Sequence, residues 1–106
     1  MKIEIFVVKT LNPSQKTLDS IKEALIGIFG GLTIIPNCEG FYRECEIKNH
    51  HAKEVICHDK VEIWLIYTDF KEKTAIKALE PFLARIKNAT QQTTQAYALN
   101  ENLRLI

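Results

Sequence analysis

Between Cys38 and Asp59 the sequence gathers its soft and ionisable side chains: Cys38, Cys45, His50, His51, Cys57, His58 and Asp59. Thiolate and imidazole are the ligands that zinc and copper take. Structural zinc sites, however, space their ligands as Cys-x-x-Cys or His-x-x-x-His, and this run has no Cys-x-x-Cys pair. His50 and His51 are neighbours and do not easily share one ion. The spacing therefore reads first as a polar loop with scattered histidines, and a metal site would have to combine Cys57 and His58 with His50 or His51. Cys57 and His58 are also adjacent, so on a strand they point to opposite faces, which argues against a nucleophile–base pair. Gly27, Gly30 and Gly31 end a helix rather than open one, so they make no phosphate cradle. Glu39, Glu44 and Glu46 around Arg43, and Lys71, Lys73 and Lys77, read as solvated charge. No catalytic residue and no cofactor is expected from these patterns.

The bulk composition narrows the classes further. The chain has 106 residues, 46% hydrophobic and 25% charged, with 14 basic and 13 acidic side chains for a net charge of +1. That balance argues against disorder and coiled coil, and provides no field to attract nucleic acid or an anionic membrane. One domain covering residues 1–106 is expected, and its size suffices for a core without disulfides. No apolar run approaches the ~18 residues that a membrane span needs. The first residues, Met1 to Ile5, carry an acid within their apolar stretch and read as a strand rather than a secretion signal. Three cysteines give no disulfide framework, so a reducing, cytoplasmic location is expected.

These residues must be positioned by a small set of elements. Lys2–Lys9 alternates, with Ile3, Ile5 and Val7 on one face and Phe6 and Val8 on the other. Asn12-Pro13 signals a helix entry, with Ser14 and Thr17 as alternative caps. Leu18, Ile21, Leu25 and Ile28, with Phe29 beside them, form its apolar stripe, and Gly30-Gly31 stops it. Leu32–Ile35 starts a second strand, which Pro36 makes irregular or an edge, and Gly40–Arg43 continues it after a bend. Residues 44–58 read as a hairpin loop or ragged strand ends. Lys60–Thr68 is the clearest strand, with Val61, Ile63, Leu65 and Tyr67 on one face and Glu62, Trp64 and Ile66 on the other. Lys71–Asn88 is a second helix with Ile76, Leu79, Leu83 and Ile86 on its stripe, and Pro81 predicts a kink or break. Gln95–Leu99 is a fourth strand, and Leu103–Ile106 a possible fifth piece after an Asn-Glu-Asn turn. The order β-α-β-β-α-β is the ferredoxin-like plan, an α+β fold with a four-stranded antiparallel sheet and two helices on one face.

In this plan Ile3, Ile5, Val7, Val61, Ile63 and Leu65 meet the helices, and Phe6, Val8, Trp64 and Ile66 lie on the uncovered face. An open apolar face of that kind marks an interaction surface. The leading expectation is an oligomer interface made by those four residues. Base stacking by Phe6 and Trp64 is opposed by Glu4 and Glu62 on the same face, and by the absence of a basic, glycine-containing run on the third strand.

Gly30-Gly31-Leu32-Thr33, Gly40-Phe41-Tyr42, the acid before Val61-Glu62-Ile63, and Gln95 near the last strand resemble a group of small bacterial and phage-borne domains. Those domains are similar in plan to the PII nitrogen-signalling and CutA-type trimers. The resemblance implies the ferredoxin-like fold and a homo-oligomer, dimer or trimer, and places residues 44–58 where PII proteins carry a partner-reading loop. It supplies no activity, because fold alone does not. The expected function is a self-associating, non-enzymatic module for a small ligand or a protein, with Thr33, Tyr42, Gln95 and Tyr97 lining clefts between protomers. Two alternatives belong to other classes. One is a small enzyme of the dimeric α+β barrel type using Tyr42, Arg43 or His58, and the other is a single-stranded nucleic-acid-binding domain.

Overall fold

The computed structural model describes residues 1–42 and 57–106. Within them the chain order is β1 (Lys2–Val8), α1 (Gln15–Phe29), β2 (Thr33–Tyr42), β3 (Cys57–Tyr67), α2 (Glu72–Ala89), β4 (Ala96–Leu99) and β5 (Asn102–Leu105). The strands form one antiparallel sheet in the order β2-β3-β1-β4-β5. The sheet has five strands, not the expected four. Asn100 and Glu101 both take positive φ (47° and 70°), which lets the chain reverse in two residues and lay β5 along β4. A turn with two left-handed residues matches the natural twist of paired strands.

Helix α1 starts where the polar run before it provides a cap. The Ser14 hydroxyl accepts from the Thr17 backbone N–H, and Gly30 closes the helix at φ 85° while its N–H returns to the Ile26 carbonyl. Leu18, Ile21 and Leu25 are buried as the periodicity requires. Ile28 is not, since it stands 38% exposed, and Phe29 takes the inward position beside Phe70. Helix α2 runs unbroken from Glu72 to Ala89 with Pro81 inside it. The expected break is absent because Pro81 lies on the solvent side, where the carbonyl deprived of its N–H partner has water.

The register decides which face is the core. Ile3 stands opposite Ile66, Ile5 opposite Trp64, and Val7 opposite Glu62. Directly opposed residues share a face. Trp64 and Ile66 therefore point to the helices with Ile3, Ile5 and Val7, and all five are fully buried. They meet Leu18, Ile21 and Leu25 of α1 and Ala75, Leu79, Leu83 and Ile86 of α2. This reverses the expected faces of β3: Val61, Ile63 and Leu65 belong to the other side. Both faces of β3 are apolar, so its alternation alone could not choose between them.

Candidate functional site

The face turned away from the helices carries apolar side chains on all five strands, with the Lys2–Glu4 ion pair among them. Phe6 stands opposite Ile63 and Val8 opposite Val61 in the centre of the sheet. Ile35 extends this row into β2, while Ala98 faces Glu4 from β4 and Leu103 and Leu105 of β5 flank Ala98 and Ala96. Tyr67, Leu103 and Leu105 are 67%, 65% and 65% exposed. Of the four residues expected to form this surface, Phe6 and Val8 lie on it. Trp64 and Ile66 do not, because the register turns them toward the helices. Val61, Ile63, Leu65 and Tyr67 replace them. Sequence reasoning also missed Ile35, Leu103 and Leu105. The alternation of Leu103 and Leu105 carried the signal, but only the placement of β5 gives it meaning.

Trp64 has polar partners inside the core. Its indole Nε1–H donates to Glu62 Oε1 at 2.7 Å, and that oxygen also lies 3.4 Å from Lys22 Nζ. The same ammonium sits 5.4 Å from the centre of the Trp64 ring. Glu62 and Trp64 are two residues apart on one strand, so they share a face, and the carboxylate supplies the partner that a buried indole needs. Asp19, one helical turn before Lys22, accepts from the Gln15 amide at 2.8 Å and lies 3.5 Å from Lys22 Nζ. The Gln15 hydrogen bond first, then the charges of Lys22 and Lys9, hold its carboxyl below the usual carboxylate range.

The four expected cleft residues do not meet within one copy. Thr33 is exposed at the start of the edge strand β2, opposite Leu65. Tyr97 is on β4 opposite Ile5, on the helix side, and β3 and β1 separate its strand from β2. Tyr42 ends β2 opposite Cys57. Gln95 is 1% exposed: its Nε2 donates to the Phe6 carbonyl at 2.7 Å and to the Ala96 carbonyl at 3.0 Å. The β1–β4 ladder ends at Ile5–Tyr97, and the Gln95 side chain bridges the strands just beyond that point. Its Oε1 is buried without a hydrogen-bond partner among the described residues.

His50 of the considered metal set lies outside the described residues, as do Arg43, Cys45 and His51. His58 and Cys57 begin β3. The His58 ring stacks on Phe41 with centres 4.7 Å apart and planes 7° from parallel, and its Nε2 lies 3.5 Å from Glu39 Oε1. Among the described residues no group of three or more His, Cys, Asp or Glu side chains is arranged to hold a metal ion, and no helix is long and apolar enough to cross a membrane.

Comparison with solved structures places this arrangement of strands and helices. In fold, the chain is similar to the CutA1 proteins. The divalent cation tolerance protein CutA1 from Thermus thermophilus superposes with a TM-score of 0.55 at 18% identity, covering 100% of this chain and 82% of that one. CutA1 from Oryza sativa superposes with a TM-score of 0.51 at 13% identity, over 99% of this chain and 77% of that one. A phage SAM lyase in complex with S-methyl-5′-thioadenosine gives a TM-score of 0.60 at 14% identity, over 99% and 87% of the two chains. No family model matches the chain, and no curated protein does. At these identities the likeness concerns the fold alone.

Proposed function

We propose that the chain is a non-catalytic, self-associating binding module, a ferredoxin-like domain extended by a fifth strand, acting in the cytoplasm. The observation that carries this reading is the apolar sheet face from Ile35 through Phe6 and Ile63 to Leu103 and Leu105. A face of this breadth gains roughly 25 cal/mol for each Å² of apolar surface it hides, and a second copy presents the same surface to it. A dimer or trimer built on it leaves clefts between copies. There a small ligand would meet Thr33 and Tyr42 from the β2 edge of one copy and the Gln95–Tyr97 region of a neighbour. The phage SAM lyase carries S-methyl-5′-thioadenosine, so that nucleoside thioether is the first ligand to try.

Tyr67→Asp and Leu103→Asp place a charge on the face at positions already solvated in the single copy, so they leave the protomer folded. Native mass spectrometry should show an oligomer for the parent chain and a monomer for the double variant. A parent chain of monomer mass would defeat the reading. An oligomer that persists in the variant would move the interface off this face.

A further inference from the structure

Strand β5 closes one side of the sheet, and β4 uses only half of its backbone groups. Gln95 and Ile106 exchange both of their backbone hydrogen bonds, at 2.9 and 3.0 Å. Such pairs recur at every second residue of an antiparallel ladder. Arg104 opposite Tyr97, and Asn102 opposite Leu99, therefore also turn their N–H and C=O toward β4. Leu103 and Leu105 turn theirs the other way. Among the described residues no strand lies beyond β5 to meet them.

The two edges of the sheet differ. Proline, bulges and uncompensated charge are the features that keep an edge from pairing. Strand β2 has Pro36 and a bulge between Ile35 and Cys38. Strand β5 has neither, and its one charged side chain, Arg104, is neutralised by Glu72 at the start of α2. The exposed side chains of Leu103 and Leu105 stand beside the open backbone groups, on the face turned away from the helices. The same edge on a second copy is its complement. With Leu103 opposite Leu105 of the second copy, and Leu105 opposite its Leu103, every outward N–H and C=O of these leucines finds a partner. Arg104 then meets Arg104 of the second copy on the helix side, where each guanidinium already has its own Glu72. Sliding the register two residues toward the β4–β5 turn would instead set Leu105 against Glu101, whose left-handed backbone (φ 70°) does not continue a strand.

We infer that β5 pairs antiparallel with β5 of a second copy about a twofold axis at Arg104, so that two sheets become one. The inference rests on the self-association proposed above, but it uses the strand edge and not the sheet face. Directly opposed residues share a face. The leucines of both copies therefore lie on one side, and the apolar face runs on from one copy into the next.

Amide exchange of the full chain, followed residue by residue above and below the concentration at which copies dissociate, tests this. The Leu103 and Leu105 amides should be protected in the assembly and lose that protection on dilution, while Arg104 and Ile106, bonded to β4, stay protected at both concentrations. Native mass spectrometry of Leu105→Pro should show half the parent's mass, because proline there removes an outward N–H and no bond to β4. Arg104→Cys, in a chain with Cys38, Cys45 and Cys57 replaced by serine, should close a disulfide across the twofold axis, since opposed residues of a non-hydrogen-bonded pair lie about 4.5 Å apart. Tyr67→Asp changes the face and not the edge, so it should keep at least a dimer with Leu103 and Leu105 still protected. If the face reading alone fails, the parent is a dimer whose mass Tyr67→Asp leaves unchanged. Leu103 and Leu105 amides that exchange as freely as exposed ones in the parent would overturn the pairing, with no variant needed. A folded Leu105→Pro chain of the parent's mass would overturn it too.

Discussion

At the scale of single residues, Trp64 organises more of this molecule than its position in an apolar strand announces. It is the sole tryptophan of the chain, fully buried, and joined through its indole to Glu62 and through its ring to Lys22. Trp64→Ala should cost about 3–5 kcal/mol of stability, the range for emptying a large aromatic from a core, measured by urea unfolding of parent and variant. The fluorescence of the folded parent should be blue-shifted and shielded from iodide; a solvent-like spectrum would place Trp64 on the open face after all. Gln95 is the other residue whose role exceeds its type. Replacing it with Leu strips the Phe6 carbonyl of its donor in a buried position, an expected loss of about 1–3 kcal/mol. The sequence marked both residues as special, through an aromatic in a strand and a glutamine ahead of one. Their roles were not legible, because each is set by what lies across a strand pair. Trp64 meets Ile5, and Gln95 meets a carbonyl far away along the chain.

At the scale of elements, the parts with local punctuation were legible and those governed by contacts were not. The Ser14 cap and the left-handed Gly30 bracket α1 as the residue types require. The irregularity at Pro36 became a bulge in an edge strand. Pro81 does not break α2, because a proline rule states a cost without saying whether packing covers it. The buried positions Ala75, Leu79, Leu83 and Ile86 lie on both sides of Pro81 and hold the helix against the sheet. That cost is recoverable: Pro81→Ala should stabilise the chain by up to about 3 kcal/mol, seen as a higher melting temperature. The β4–β5 turn has a similar reserve. Glu101 sits at φ 70°, a region that costs a residue with a Cβ about 1–2 kcal/mol. Glu101→Gly should raise the melting temperature by a few degrees, about 4 °C for each kcal/mol in a domain near this size. Its exposed contact with Lys2, at 3.8 Å, contributes little by comparison.

For the whole molecule, the element order was legible from period and punctuation, and the fifth strand half so. What the sequence withheld was the phase between neighbouring strands, and that phase decides which apolar face meets the helices and which is turned away from them. The strand order carries a further consequence, for how the chain is made. The first strand synthesised is the middle of the finished sheet, with β3 on one flank and β4 on the other. Ile5 waits for Trp64 on one side and for Tyr97 on the other. At cellular translation rates of about 5–20 residues per second, that wait lasts about 5–20 s. Until then β1 has two helices and an incomplete sheet to shelter it. Nascent chains arrested before Ala96 should therefore remain open to protease, and should lean on chaperones that bind extended apolar segments. Chains in which β5 has also emerged should become resistant in one step, since closing long-range strand pairs is the slow event in such topologies.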